Sequence, residues 1–281
     1  MRIALTGGDG FTGRHFIEAA RRAGHDILEL RSDLTDGVRL AAETRSLEAD
    51  AVVHLAAISF VGHQNDRAFY DVNLFGTLNL LDALAHLHRP LKRILLTSSA
   101  NVYGNSPHSP IAETQAPAPV NHYAMSKLAM ELMAQARFPE LPLVIARPFN
   151  YTGPGQSTEF VIPKLVEHFR RRASKVTLGN LHVQREYNDV RFVCDAYLRL
   201  LENGPDEGVY NVCTGVTYDF NAVLATLREI TGHGIDVQVD PMLVRPNEVH
   251  RLCGDPSRLR QAIGDVASPS LEDTLRGMLA A

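Results

Sequence analysis

Six short apolar runs punctuate the chain: "RIALT" (2–6), "DILEL" (26–30), "AVVHL" (51–55), "RILLT" (93–97), "LVIAR" (143–147) and "VYNV" (209–212). Each has strand length and is rich in Val, Ile and Leu, and the stretches between them are longer, with apolar residues at helical spacing. Strands alternating with helices predict an α/β fold, a Rossmann-like doubly wound parallel sheet. The 31–50 interval runs from "RSDLTDG" straight into "VRLAAETRSLEAD" without a strand pattern, so one sheet edge should be trimmed. Two regions break the rhythm. Residues 104–120, "GNSPHSPIAETQAPAPV", carry four prolines and no period, which suggests an active-site loop rather than an idle connection. Beyond about residue 151 helices mix with shorter strands, which suggests a smaller C-terminal lobe over 152–281, with 182–210 contributing again to the 1–151 part.

Composition narrows the classes. At 281 residues, 45% hydrophobic and 21% charged, the chain has the make-up of a folded globular protein. A net charge of -4 offers no general attraction to polyanions, which argues against a nucleic-acid partner. No stretch approaches the ~20 apolar residues of a membrane span, and the N-terminus reaches a glycine cluster before any long apolar run, so a cytoplasmic protein is expected. Cys194, Cys213 and Cys253 are odd in number and far apart, which fits buried thiols and neither a disulfide frame nor a metal site.

The first strand leads into "TGGDGFTGRHF", with Gly7, Gly10 and Gly13 three residues apart at the opening of a helix. The first glycine allows a tight turn, the second lets backbone amides approach a pyrophosphate, and the third lets the helix pack closely. Phe11 and Thr12 lie inside this turn. The chemistry expected is dinucleotide binding. An NAD site usually holds a carboxylate at the end of the second strand, and here that place has Arg31. A guanidinium there suits a 2′-phosphate, with Arg14 as a second contact, so NADP(H) is expected and NAD(H) is the alternative. Asp33 is then an adenine contact.

"NHYAMSKLAMELMAQARF" predicts a helix over 122–137, capped by Asn121 and stopped by Pro139, with apolar positions 125, 128, 129, 132, 133 and 136. Tyr123 and Lys127 share a face of it. A phenol is a weak acid–base catalyst at neutral pH unless a neighbouring ammonium and the positive end of a helix stabilise its anion. Ser98 and Ser99, in "TSSANVYG", follow the fourth strand at the ligand edge of the sheet, where a hydroxyl can bind a reacting oxygen.

Together "TGGDGFTG", "TSSANVYG" and "NHYAMSK" resemble the extended short-chain dehydrogenase/reductase (NAD-dependent epimerase/dehydratase) family of nucleotide-sugar enzymes. The resemblance implies Ser99, Tyr123 and Lys127 as the catalytic set, Lys127 also holding the cofactor ribose. "VVHLAAIS" (52–59) is similar to the family's fourth strand, which implies Leu55, Ala56 and Ala57, with Leu34 near Asp33, against the cofactor and Ser59 against the sugar. "RPFNYTGPGQ", "FVIPKLVEHF", "GNLHVQREYNDVRFVCDAY" and "VRPNEVHRLCGDPSRLR" look like the branch of GDP-mannose 4,6-dehydratase and GDP-4-keto-6-deoxy-D-mannose reductase, which implies Asn150, Lys164, Arg185, Arg245 and Glu248 as GDP-sugar contacts. By the same likeness 1–151 is the cofactor domain, 152–281 mainly a nucleotide-sugar lobe, and helix 122–137 a homodimer helix, unless its apolar stripe packs on its own sheet.

One departure matters. Where the dehydratases of this branch carry a glutamate two residues after the catalytic hydroxyl, this chain has Asn101, and an amide cannot act as a general base. The expected reaction is therefore NADPH-dependent reduction of the 4-keto group of a GDP-4-keto-6-deoxyhexose, giving GDP-rhamnose or its C4 epimer. The alternatives are a 4-epimerase with retained NAD, a 4,6-dehydratase, and a non-catalytic NADP-binding regulator.

Overall fold

A computed structural model describes residues 1–205, 207–244 and 248–281. Its centre is a six-stranded parallel sheet: β1 Arg2–Thr6, β2 Asp26–Leu30, β3 Ala51–His54, β4 Arg93–Thr97, β5 Leu143–Pro148 and β6 Gly208–Val212, in the order 6-5-4-3-1-2. These are the six apolar runs of the sequence within a residue at either end. They read clearly because parallel strands are covered on both faces: in β3 all four residues are buried, alternate side chains serving opposite layers. The trimmed edge is also present, since β2 is the last strand of the sheet among the described residues.

On one face α1 (Phe11–Arg22) packs with α6 (Val190–Glu202) over Ile3, Leu5, Leu95 and Val144. On the other lie α2 (Gly37–Thr44), α3 (Thr77–Ala85) and α4 (His122–Arg137), over Ala4, Val52, Ile94 and Ile145. Each fully buried Ile, Leu or Val contributes ~1.5–3 kcal/mol. A further apolar cluster gathers α5 (Val161–Arg170), α7 (Phe220–Thr231) and the terminal Leu271–Ala280 helix around the paired strands Lys175–Leu178 and Asp236–Val239. The order reverses at β1, which pairs with both β2 and β3, so a crevice opens at the carboxyl ends of these strands.

One expectation is corrected. Segment 104–120 does not line that crevice. It covers the exposed edge of β6: Glu113 accepts the Asn211 amide at 2.7 Å, the Asn211 side chain donates to Ile111 O at 2.9 Å, and Ile111 bridges to Gly254. An open parallel edge is a pairing hazard, and this segment blunts it. In α4 the buried residues are Tyr123, Ala124, Ser126, Lys127, Met130, Glu131 and Ala134, so the alternative of a stripe packed on its own sheet is not met. Met125, Leu132 and Met133, from the apolar stripe, are exposed by 43–58% and do not pack on the sheet. The helix turns a partly polar face inward because those polar groups find partners there.

Candidate active site

Beyond β1 the chain turns at Gly7, whose φ of 73° favours glycine. A Cβ on Gly7 would lie 2.7 Å from the Ala56 nitrogen, and one on Gly13 would lie 2.1 Å from Gly7 O. Gly10 caps α1 without a side chain, so no side chain caps the first turn of the helix and its amides can meet a pyrophosphate. These features fit a dinucleotide. Thr12 and Tyr151 share a hydroxyl hydrogen bond of 2.8 Å, and Phe11 stacks on Tyr151, tying α1 to the segment after β5.

A cleft of about 780 Å³ runs from this turn across the sheet edge. Gly7, Gly10, Phe11, Thr12, Gly13, Leu55 and Ala57 line its cofactor end. Ser99, Tyr123 and Lys127 lie in the middle, and Ser59, Asn150, Lys164, Arg185 and Glu248 line the remainder. Arg14, Arg31, Asp33, Leu34 and Ala56 are not part of the wall. Arg14 donates to Asp9 O at 2.5 Å and Gly155 O at 3.2 Å. Asp33 closes a turn by accepting from Thr35 N and Oγ1, both at 2.8 Å. Leu34 is buried beside Gly76, and Ala56 N donates to Thr6 Oγ1 at 3.3 Å. Arg31 stands 3.8 Å from Glu29. Arg245 lies outside the described residues.

Ser99 follows β4 in an extended conformation and caps the short turn Ala100–Tyr103. Its Oγ accepts from Asn101 N at 3.2 Å and from Asn101 Nδ2 at 3.1 Å, which fills both lone pairs. Its own proton is left for a ligand, and the Tyr123 phenol lines the cleft beside it. Burial pushes that phenol above its ordinary value, and the Ser99 hydroxyl pulls it back. Lys127 shares the helix face, and its Nζ donates to Thr97 O at 2.8 Å. Burial lowers Lys127 itself to about 8, with the Glu131 charge opposing.

Sequence reasoning missed two buried networks. Arg147 donates to Glu131 through Nε at 3.0 Å and Nη2 at 2.5 Å, and through Nη1 to Tyr103 OH at 2.9 Å, which donates on to Asn211. Glu131 stands one helical turn beyond Lys127, and that i, i+4 spacing was the available signal. The second network holds the cofactor wall. Asn73 lies in a π-helical stretch, Tyr70–Gly76; it accepts Ile58 N at 2.9 Å and donates to Ile58 O and Ser126 Oγ, both at 3.1 Å. Thr77 spends its proton on Asn73 O, so His54 Nε2 donates to Thr77 and Nδ1 accepts from Thr6. Burial, aided by Lys127, drops His54 to about 3, so the ring is neutral.

At the far end Lys164 Nζ donates to Thr177 O at 2.8 Å. Arg185 and Glu248, expected as separate ligand contacts, are paired with each other at 2.6 Å, and Arg185 also donates to Val249 O and His250 O. The rings of Phe60 and Phe160 meet edge to face, 5.8 Å apart, in the cleft wall.

The sequence profile of the NAD dependent epimerase/dehydratase family matches residues 3–213. The chain is 33% identical over 94% of its length to a GDP-6-deoxy-D-talose 4-dehydrogenase of Aggregatibacter actinomycetemcomitans, covering 92% of that protein. It is 35% identical over 99% of its length to a GDP-6-deoxy-D-mannose reductase of Pseudomonas aeruginosa, covering 96%. Among solved structures it is similar to a candidate epimerase from Burkholderia cenocepacia J2315, with TM-score 0.92, 44% identity and coverage of 100% and 97% of the two chains. It is also similar to RMD from Pseudomonas aeruginosa complexed with NADPH, with TM-score 0.90, 33% identity and coverage of 99% and 97%. The chain thus belongs to the NAD dependent epimerase/dehydratase family and is an NAD(P)-dependent enzyme of the extended short-chain dehydrogenase/reductase type.

Proposed function

We propose that this enzyme reduces the 4-keto group of a GDP-4-keto-6-deoxyhexose with NADPH, giving GDP-rhamnose or its C4 epimer. The observation that carries this reading is Asn101. The dehydration step needs a base two residues after the catalytic hydroxyl, and the residue there is an amide engaged in hydrogen bonds to Ser99. The two GDP-6-deoxysugar relatives support the substrate class, and the NADPH complex of a similar structure supports the cofactor. The nicotinamide, when bound, supplies the hydride. Tyr123 donates the proton to the developing alkoxide at C4, and Ser99, with both lone pairs filled, is left as a donor that orients the keto oxygen. Lys127, a buried cation on α4, favours the phenolate left on Tyr123 and faces the cofactor ribose. Residues 1–151, joined by 182–210, form the cofactor domain, and 152–281 mainly the nucleotide-sugar lobe, with Ser59, Asn150, Lys164, Arg185, Arg245 and Glu248 as substrate contacts.

The same reading makes the protein a cytoplasmic homodimer. Among the described residues no helix is long and apolar enough to cross a membrane, and Met125, Leu132 and Met133 of α4 are exposed together with Phe75. A second reading, a 4-epimerase that retains NAD, is favoured by the Glu29 carboxylate beside the glycine turn and by the likeness to a candidate epimerase.

One experiment separates the readings. With GDP-mannose alone the enzyme should form no keto sugar. With the 4-keto-6-deoxy sugar it should oxidise about one NADPH per sugar reduced, followed by absorbance with products identified by mass spectrometry. Keto-sugar formation from GDP-mannose would overturn the Asn101 argument, and C4 epimerisation without net NADPH loss would establish the epimerase.

A further inference from the structure

Among the described residues two buried side-chain oxygens have no hydrogen-bond partner, Ser98 Oγ and Tyr197 OH, and both residues line the active-site cleft. A buried hydroxyl left unpaired costs stability and native folds hold few of them, so two on one wall mark a place where bound molecules complete the bonding. Ser98 adjoins Ser99, where sugar and cofactor meet, and does not tell the two apart. Tyr197 is more specific. It is fully buried in α6, in the apolar layer of Ile3, Leu5, Phe16 and Val193, where a phenylalanine would supply the same ring without the orphaned oxygen. Burial, with the charges of Tyr151, Cys194 and Tyr123 adding to it, holds this phenol well above its ordinary value, so it is a donor at neutral pH.

The surroundings point to one ligand. Helix α6 packs on α1, the helix of the glycine turn. Cys194, three positions before Tyr197, donates its thiol to Thr12 O at 3.8 Å, and Tyr151 shares its hydroxyl bond with Thr12. Tyr197 therefore belongs to the cofactor end of the cleft, close enough to Tyr151 and Tyr123 for their charges to act on it. Beyond its pyrophosphate a nicotinamide cofactor carries two kinds of polar group, the ribose hydroxyls and the ring carboxamide. Lys127 takes the ribose in the reading above and comes from α4, on the other face of the sheet, which leaves the carboxamide for Tyr197. We propose that Tyr197 is a cofactor-binding residue whose hydroxyl donates a hydrogen bond to the carboxamide carbonyl and so sets how the nicotinamide ring lies in the cleft. The proposal rests on the ribose assignment of Lys127, and it needs no sugar.

The test compares wild type with Tyr197→Phe in thermal unfolding without ligand, and in calorimetric titrations with NADPH and NADH and with their nicotinamide-free fragments, ADP-ribose 2′-phosphate and ADP-ribose. Without ligand the variant should unfold a few degrees higher, since it sheds an unpaired buried hydroxyl. It should bind the cofactors about tenfold more weakly, the scale of one hydrogen bond, and the fragments as wild type does. A midpoint no higher than that of wild type would mean that the hydroxyl is already partnered in the free protein. Unchanged cofactor affinity, or an equal loss for cofactors and fragments, would mean that it does not meet the carboxamide. Any of these results overturns the proposal. Lys127→Met should weaken cofactors and fragments alike, because the fragments keep the ribose; a variant that spares the fragments would sink the ribose assignment, and the Tyr197→Phe titrations would still decide the carboxamide bond.

Discussion

Replacing Glu131 by glutamine should be among the most destabilising conservative changes in this chain. Glu131 and Arg147 are 2% and 7% exposed and meet through two parallel hydrogen bonds of 2.5 and 3.0 Å. An amide can accept one of these bonds but carries no charge, so the guanidinium is left buried with only Tyr103 OH as a strong acceptor. Breaking such a pair from one side costs ~3–5 kcal/mol. For a chain of this size that corresponds to a fall in thermal midpoint of roughly 10 °C. Thermal unfolding followed by circular dichroism measures it. The double variant Glu131→Leu, Arg147→Met removes both charges and should recover a large part of the loss, because an apolar pair of similar volume carries no desolvation penalty. A Glu131→Gln midpoint within about 2 °C of wild type, or a double variant worse than the sum of the singles, would refute the account of this pair.

Tyr123→Phe should leave cofactor affinity nearly intact and lower turnover by roughly 10²–10⁴-fold, measured by steady-state kinetics beside a cofactor titration; near-normal turnover would remove the phenol from the chemistry. Lys127→Met should lower both turnover and cofactor affinity and should also flatten a feature of the stability–pH curve. The folded pKa of Lys127, about 8, lies below its ordinary 10.5, so the unfolded chain binds more protons between these values and wild-type stability gains a contribution as pH rises through that window. Denaturant titrations at pH 8 and 10 should show that gain shrinking in the variant. Leu132→Glu with Met133→Lys should convert a dimer to monomers in light scattering without lowering the thermal midpoint of the monomer fold, whereas an unchanged mass would count against α4 as the interface.

The sheet was legible because its strands are buried on both faces, which writes them as short uninterrupted apolar runs between glycine, proline and charged residues. Gly7 and Gly13 were legible for another reason: backbone approach excludes a side chain, and only one residue type meets that demand. What escaped were charges that fold inward. Glu131 and Arg147 each look like ordinary solvated residues until their partners are known, and those partners lie 16 and 44 positions away along the chain. Segment 104–120 escaped similarly, since its prolines announce a loop but not that Glu113 would cap an edge amide of β6.

Helix α4 shows why periodicity alone does not orient a helix. Its apolar positions 125, 132 and 133 are exposed, and the buried positions include Ser126, Lys127 and Glu131. Each of these satisfies its polar atoms: Ser126 donates to Tyr123 O at 2.8 Å, Lys127 to Thr97 O, and Glu131 accepts from Arg147. Once paired, they no longer carry the full penalty of leaving water, and the rule that charged faces point outward loses its force. The inversion serves both sides of the helix. A face that must present a phenol and an ammonium to a cleft cannot also be the greasy anchor of the element, so Met125, Leu132 and Met133 stand exposed on the opposite face.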